Sequence, residues 1–449
     1  MVRVLFFSDS TGIIVPVRRL EIAPVAENKM LFFPEFVSLS LDWNMLLGAG
    51  FAAGAAGLAS AFTHEHAENV DLDALKKRIS ELEKLSSRTL EQNDELAGLY
   101  SAWGTVLFDT EEGDLDEIVG LFAKAEAVLK ATLAQGEDNA LRHKLGNVYL
   151  EWAIVLNDYD DLSAAVDFYL KAINTLKPLE DAGDGDAKYD IAGIKLNLGI
   201  AYRELGELEK AKVSLDESFL TYRAVEKICA DDTRVYMATV SVQQGNILHE
   251  MGETPDKVID AYNRAMRLYV EVIEDQQEMS LERNLANILL DRCMVIYEDW
   301  LDKKFESNEE RERVINDVLL NISRGIELLE KQYKEGNSLA RYDLFHGVTL
   351  QGKVLCDAAR YTEAQQSLDR AINEFADLCE EDDDMFLMQM AMVYAARAVV
   401  CLGLGNKSQS EQDCLKGSEM INKLLQSDSS DEEILDLKQQ FQMLLEQLK

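Results

Sequence analysis

Proline and cationic residues are the scarce components of this 449-residue chain. Only five prolines occur, and three of them, Pro16, Pro24 and Pro34, fall in the first forty residues. Because proline removes a helical hydrogen bond, its near-absence from the rest of the chain permits long helices. The 45 Lys and Arg residues face 82 Asp and Glu residues, for a formal net charge of -37. A main ligand that is nucleic acid or an anionic membrane surface is therefore not predicted, whereas a basic protein partner is compatible with this charge.

Paired cysteines and convergent histidines are also missing. The cysteines include no CxxC pair and lie in predicted helices, so we expect buried, reduced thiols in the cytoplasm and neither disulfides nor a zinc site. They are Cys229, Cys293, Cys356, Cys379, Cys401 and Cys414. His64 and His66 are close in sequence but lack a matched second pair. Since no nucleophile-elbow, zinc-protease, P-loop or dinucleotide-binding motif occurs, the sequence predicts a protein that is not an enzyme and binds no cofactor or metal.

What the chain does contain is a recurring helix-turn-helix pattern, clearest in residues 195–220. The predicted inner faces carry Leu198, Gly199 and Tyr202 in one helix, Gly206 in the turn, and Ala211, Leu215 and Ser218 in the next helix. Two helices of this length cannot bury their apolar faces alone, so copies must stack on either side.

Further copies repeat a small residue in the first helix, where the second helix can approach closely. These small residues are Gly104, Gly146, Gly199, Gly245, Gly352 and Ala398. The second helix repeats small, large and small residues at i, i+4 and i+7, which lie on one face. A Gly or Ala between the two helices is expected to adopt the left-handed conformation of a turn.

This pattern resembles the tetratricopeptide repeat, a helix-turn-helix unit of about 34 residues. The resemblance covers residues 93–425 in about seven copies, of which the fifth, within 281–333, is degenerate. It implies an all-α fold, a right-handed superhelical solenoid of helix-turn-helix repeats, with a C-terminal capping helix at residues 431–449. The second and fifth copies are expected to carry enlarged turns between their helices.

The N-terminal part differs in character. Residues 1–68 contain β-branched and aromatic runs without helical period, which predict a poorly ordered leader. Its Ala- and Gly-rich segment 45–62 is uncharged and reaches the lower length limit of a transmembrane helix, so a membrane anchor and a small-residue helix outside a membrane both remain open. Residues 70–92 predict an amphipathic helix, either packed on the first repeat or forming a short coiled coil.

The resemblance also implies a binding site, because the first helices of tetratricopeptide arrays line a concave groove that holds peptides or helices. The matching positions are His143, Asn147, Leu150, Asn197, Ile200, Glu204, Gln243, Asn246, Thr349 and Lys353. Family members that bind a chaperone's C-terminal carboxylate combine asparagines with lysines and an arginine. Asn147 and Asn197 match the asparagines, but the basic positions hold His143, Thr239 and Gln243, so a carboxylate clamp is not predicted.

The predicted function is a non-catalytic, cytoplasmic adaptor or scaffold that binds a partner peptide or helix in this groove. Two alternatives remain open from the sequence. One is a membrane-anchored assembly factor with residues 45–62 as the anchor, and the other is a non-catalytic subunit of an enzyme complex.

Overall fold

The computed structural model describes residues 72–110, 112–226, 232–276, 279–380, 384–427 and 432–448. The predicted leader at 1–68, with its segment 45–62 and its two histidines, lies outside these residues, as does Cys229. Within the described ranges the chain forms sixteen α-helices and two short 3-10 segments and contains no strand. The predicted all-α helical-repeat fold is confirmed.

The helices follow one another with short connections. In chain order they are α1 Leu72–Glu83, α2 Leu90–Asp109, α3 Leu115–Leu133, α4 Asn139–Asp158, α5 Leu162–Asp181, α6 Gly185–Glu204, α7 Leu208–Val225, α8 Arg234–Glu250, α9 Pro255–Gln276, α10 Glu282–Asp302, α11 Asn308–Lys334, α12 Ala340–Asp357, α13 Tyr361–Phe375, α14 Asp384–Gly403, α15 Lys407–Ser427 and α16 Glu432–Leu448. The 3-10 segments are Met279–Leu281 and Ala376–Glu380.

The described residues divide into two compact units, and the division falls within α9, between Val272 and Ile273. In the N-terminal unit, helices pair as α2–α3, α4–α5, α6–α7 and α8–α9, and in the C-terminal unit as α10–α11, α12–α13 and α14–α15. We call the first helix of each pair an A helix and the second a B helix. Within each unit, consecutive A helices contact one another, as α4 and α6 do in the first unit and α10 and α12 in the second.

The close approach of paired helices explains the small residue of the pattern. A Cβ atom added to Gly199 would lie 2.7 Å from Leu215 of the B helix, and one added to Gly352 would lie 2.7 Å from Leu368. Leu215 and Leu368 are both fully buried. The glycine therefore lets the large B-helix residue pack against the A-helix backbone, as the spacing predicts.

Five of the seven turns inside the pairs contain one residue with positive φ, whereas the described residues of the α2–α3 and α10–α11 turns contain none. This residue is a glycine in α6–α7, α8–α9 and α14–α15, where the residues are Gly206 (φ 72°), Gly252 (φ 67°) and Gly405 (φ 77°), and it is Ala359 (φ 56°) in α12–α13. In α4–α5 the same position holds Asp160 (φ 62°). The predicted left-handed turn is thus present in these five pairs, and in one of them it is formed by aspartate, whose short polar side chain tolerates this conformation.

Two local predictions are wrong. Residues 70–92 form two elements, because α1 ends at Glu83 and Thr89 starts α2 with a capping box to Gln92. The turn of the second copy is not enlarged, since residues 159–161 between α4 and α5 match 205–207 between α6 and α7 in length. The fifth copy does have a longer connection, residues 303–307.

The C-terminal end of the described chain packs on the last helix pair. Helix α16 contacts α14 and α15, and a Cβ added to Gly417 would overlap the ring of the fully buried Phe441. Within the described residues, one 18-residue stretch, Phe386–Gly403 in α14, is long and apolar enough to cross a membrane on length and composition alone. Two thirds of that stretch (67%) is buried inside the protein.

Candidate functional site

The turns set the register of the A helices, and this register corrects the sequence alignment. The left-handed residue follows the small A-helix residue by the same spacing in four pairs, namely Gly199 to Gly206, Gly245 to Gly252, Gly352 to Ala359 and Ala398 to Gly405. In α4–α5 the left-handed residue is Asp160. The residue at the same spacing before it is Ala153, which is fully buried, and not the predicted Gly146. The prediction therefore placed the second copy about two helical turns too early. As a consequence, the counterpart of Asn197 in α4 is Glu151 and not Asn147.

Polar side chains bridge α2 and α4, the first two A helices. Lys144 pairs with the carboxylate of Asp94, and the Ser101 hydroxyl donates to Glu151. Burial between the helices raises the pKa of the Glu151 carboxyl. Lys144 and Glu151 are seven residues apart and so lie on one face of α4.

Similar bridges continue to α6 and α8. Nε2 of His143 lies 3.0 Å from Oδ2 of Asp190, across α4 and α6. Nε of Arg203 donates to Oε1 of Glu250 at 2.5 Å, and Nη1 of Arg203 is 3.5 Å from Oε1 of Gln243, across α6 and α8. We call the surface formed by this row of residues the A-helix polar stripe, and its members are Asp94, Ser101, His143, Lys144, Glu151, Asn157, Asp190, Arg203, Glu204, Gln243 and Glu250.

Three of the predicted groove residues are members of this stripe. His143 is engaged with Asp190, and Gln243, which is 1% exposed, is engaged with Arg203. Burial raises the pKa of the Glu204 carboxyl, and the nearby side chains of Arg203 and Asn157 oppose this shift. These side chains join one repeat to the next.

Of three further predicted residues, two are buried and one, Leu150, is partly exposed. Ile200 is buried in the core beneath α6, and Leu150 packs, partly buried, on the core of the N-terminal unit. Asn246 is 1% exposed, and its Oδ1 accepts a hydrogen bond of 2.7 Å from the hydroxyl of Tyr262 in its own B helix. None of these three presents a free polar group at the surface.

Asn147 and Asn197 remain accessible. Both side chains are partly exposed on neighbouring A helices, α4 and α6, and neither has a side-chain hydrogen-bond partner within the described residues. An unengaged amide offers a donor and an acceptor at once. Of the predicted positions in the N-terminal unit, these two retain the groups that a ligand could bind.

Thr349 and Lys353 belong to the C-terminal unit, where they lie one turn apart on α12. Nζ of Lys353 lies 5.7 Å from the ring centre of Tyr297, whose hydroxyl donates to Asp357. Burial lowers the pKa of Lys353 and raises that of Asp357. Burial, with the nearby Lys353, also lowers the pKa of His346 to about 4. This arrangement is a buried polar cluster between α10 and α12.

Sequence reasoning missed eight of the eleven members of the stripe, including Glu151, Asn157, Arg203 and Glu250. The first two were lost with the register of the second copy. The signal that could have found them is the turn Asp158–Asp161, since aspartate is among the few non-glycine residues that tolerate a left-handed turn. The last two follow Gly199 by four residues and Gly245 by five residues, at the C-terminal ends of α6 and α8.

The described residues contain no group of three or more His, Cys, Asp or Glu side chains that could hold a metal ion. Four cysteines are described as free and buried. Burial raises the pKa of Cys401 to about 11 and those of Cys293 and Cys414 to about 12, so little reactive thiolate forms near neutral pH.

We therefore expect Cys293, Cys401 and Cys414 of the folded protein to react with iodoacetamide much more slowly than the same residues in urea, by a factor of about 100 or more. Mass spectrometry of tryptic peptides measures each cysteine separately. Equal labelling rates with and without urea would contradict the buried placement of these thiols.

Comparison with known proteins finds no matching family model and no matching curated protein. Among solved structures, the chain is similar to the apo form of RapI (TM-score 0.46, 13% identity, covering 72% of this chain and 99% of that one). It is also similar to aspartyl phosphate phosphatase F from Bacillus subtilis (TM-score 0.44, 14% identity, 84% and 93%) and to BtubC from P. vanneervenii (TM-score 0.44, 16% identity, 60% and 93%). At these scores the likeness identifies no family, and the fold assignment rests on the helices themselves.

Proposed function

We propose that this protein is a non-catalytic adaptor that binds an extended segment of a partner protein along the A-helix face of its N-terminal unit. One observation carries the proposal. Asn147 and Asn197 keep unengaged amides on neighbouring A helices, whereas the side chains of the surrounding A-helix polar stripe bond to one another. Side-chain amides bind peptide N–H and C=O groups without regard to the peptide's side chains.

The spacing of the helices suits this mode of binding. Packed helices lie about 8–10 Å apart, which corresponds to about three residues of an extended chain at roughly 3.3 Å per residue. A peptide crossing α4 and α6 can therefore bond both asparagines through backbone groups of the same strand. Leu150, partly exposed on α4, adds an apolar contact for one peptide side chain.

The charge of the face favours a partner segment with lysine or arginine. Glu151 and Glu204 carry carboxyls without a salt-bridge partner on another helix, and the whole chain has a net charge of -37. Charge complementarity of this kind mainly speeds association and weakens as salt is added. We place the protein in the cytoplasm, where the unpaired thiols of Cys293, Cys356, Cys401 and Cys414 stay reduced.

The test is affinity capture followed by binding measurements with overlapping peptides of the captured partner. We expect the double substitution Asn147→Ala and Asn197→Ala to weaken binding by about 2–3 kcal/mol, or about 30- to 100-fold, because each amide contributes about 1–1.5 kcal/mol. Asn174→Ala is the matched control, since Asn174 is exposed on the B helix of the same copy as Asn147.

Two results would contradict the proposal. One is equal affinity of the double variant and the parent protein for every captured partner. The other is an equal loss of binding in the control, which would show that the effect does not depend on the A-helix face. If the affinity does not change with salt between 50 and 500 mM, the partner segment is not basic. That result would leave the role of the two asparagines unaffected.

A further inference from the structure

We propose that His143 and Asp190 form a pH-sensitive latch between the second and third repeats, closed when the imidazole of His143 is protonated. His143 lies near the start of α4 and Asp190 in the first half of α6. Their side chains meet across the two A helices, with Nε2 of the histidine 3.0 Å from Oδ2 of the aspartate. This contact is independent of any partner protein.

The geometry makes the contact depend on a proton. Nε2 of His143 has no hydrogen-bond partner within the described residues, so its contact with Asp190 is an ion pair, attractive only when the imidazole is a cation. The two side chains are 28% and 26% exposed, which shields them partly from water. An unprotonated Nε2 at the same distance would face a second acceptor and be repelled.

The charges around His143 favour the protonated ring. The carboxylates that act on it all come from α6 and its N-cap, with Asp190 first and Asp184 and Asp186 behind it, and they raise the pKa of His143. Arg142, Lys144, Lys177 and Lys130 on nearby helices are paired with the carboxylates of Glu137, Asp94, Glu180, Asp181 and Glu126. Lys188 of α6 and Lys171 of α5 are in no such pair within the described residues. The three aspartates at the start of α6 therefore stabilise the cationic form of His143.

The direction of the pH effect follows from this raised pKa. The latch stabilises the folded protein fully below the unfolded histidine value of about 6.5, and the stabilisation is lost as pH rises through the higher folded value. Repeats two and three are thus held together more tightly at pH 6 than at pH 8.5.

Titration of the histidine resonances of the full chain by NMR tests the latch, with His143→Gln identifying the signal. We expect a midpoint above 6.5 in the parent protein and a midpoint at or below 6.5 in Asp190→Asn. Asp186→Asn, which removes a more distant carboxylate of the same helix, is the matched control and should lower the midpoint less. A parent midpoint at or below 6.5, or one that Asp190→Asn leaves unchanged, would overturn the proposal.

Hydrogen exchange of peptides from α4 and α6 tests the coupling of the repeats directly. After correction for intrinsic rates, His143→Gln should exchange faster than the parent at pH 6, by up to about tenfold for each unit by which the pKa is raised, and equally fast at pH 8.5. The Asp190→Asn change should have little further effect in the His143→Gln background. The same ratio of rates at both pH values would show that His143 packs there without acting as a latch.

Discussion

Replacement of Asp413 by alanine is expected to destabilise the protein by about 3–5 kcal/mol, the largest loss that we predict for a charged residue. Asp413 is completely buried in α15, and its two oxygens accept hydrogen bonds of 2.9 and 2.6 Å from Nε and Nη2 of Arg397 in α14. Arg397 is only 8% exposed. Removal of Asp413 leaves the Arg397 guanidinium with only the partly exposed Asp369 as its partner, so most of its desolvation cost is no longer offset.

Asp369 provides the matched control for this prediction. It accepts a hydrogen bond of 2.7 Å from Nη1 of the same arginine, but its side chain is 40% exposed. Because solvent screens this contact, Asp369→Ala should cost less than about 1 kcal/mol. Urea unfolding, followed by circular dichroism, measures the stability of both variants. Hydrogen exchange of peptides from α14 and α15 shows whether the loss of stability affects these two helices. A similar cost for the two variants would contradict the buried-pair argument.

Gly199→Val is expected to cost about 1–3 kcal/mol, although valine forms helices more readily than glycine. A Cβ at this position would lie 2.7 Å from Cδ2 of Leu215 and 3.3 Å from the carbonyl oxygen of Ala211. Both neighbours belong to α7 and are fully buried, so the two helices must move apart. The loss of stability in this variant shows how much the packing of α6 on α7 depends on their close approach.

Gly120→Ala is expected to stabilise the protein, whereas Gly199→Val destabilises it. Gly120 also lies inside a helix, α3, but a Cβ there would meet nothing within 4 Å. The substitution therefore gains about 0.5–1 kcal/mol from helix propensity and from the restricted unfolded chain. Thermal and urea unfolding of both variants measures whether each substitution raises or lowers the free energy of unfolding. In a second control, Gly199→Val should cost less in a Leu215→Ala background than in the parent protein, because the smaller side chain leaves the space that valine needs.

Much of the fold was predictable from local pattern. The spacing of Gly199, Leu215 and Gly206 predicted a helix pair with a left-handed turn, and the structure contains it with Leu215 fully buried. This succeeds because the helix period and the need to bury one face act within a few residues. The predicted register of the second copy was wrong because its turn contains Asp160 in place of a glycine.

The candidate site was less predictable, and the reason is physical. The position of a residue on an A helix indicates on which face of the helix its side chain lies. It does not indicate whether that side chain already contacts a residue of a neighbouring repeat. His143 and Asn147 are one turn apart on α4, yet Asp190 engages the first, whereas the second has no side-chain partner within the described residues. That difference depends on residues nearly fifty positions away.

The sequence by itself determined that this protein is built from helical pairs, because small and large residues recur at spacings that bury one face of each helix. It also determined the excess of negative charge. Only the tertiary structure decided the register of the second copy, the A-helix polar stripe and the two asparagines left accessible beside it. These features depend on which side chains meet across separate helices, and such meetings depend on packing distances that no local pattern contains.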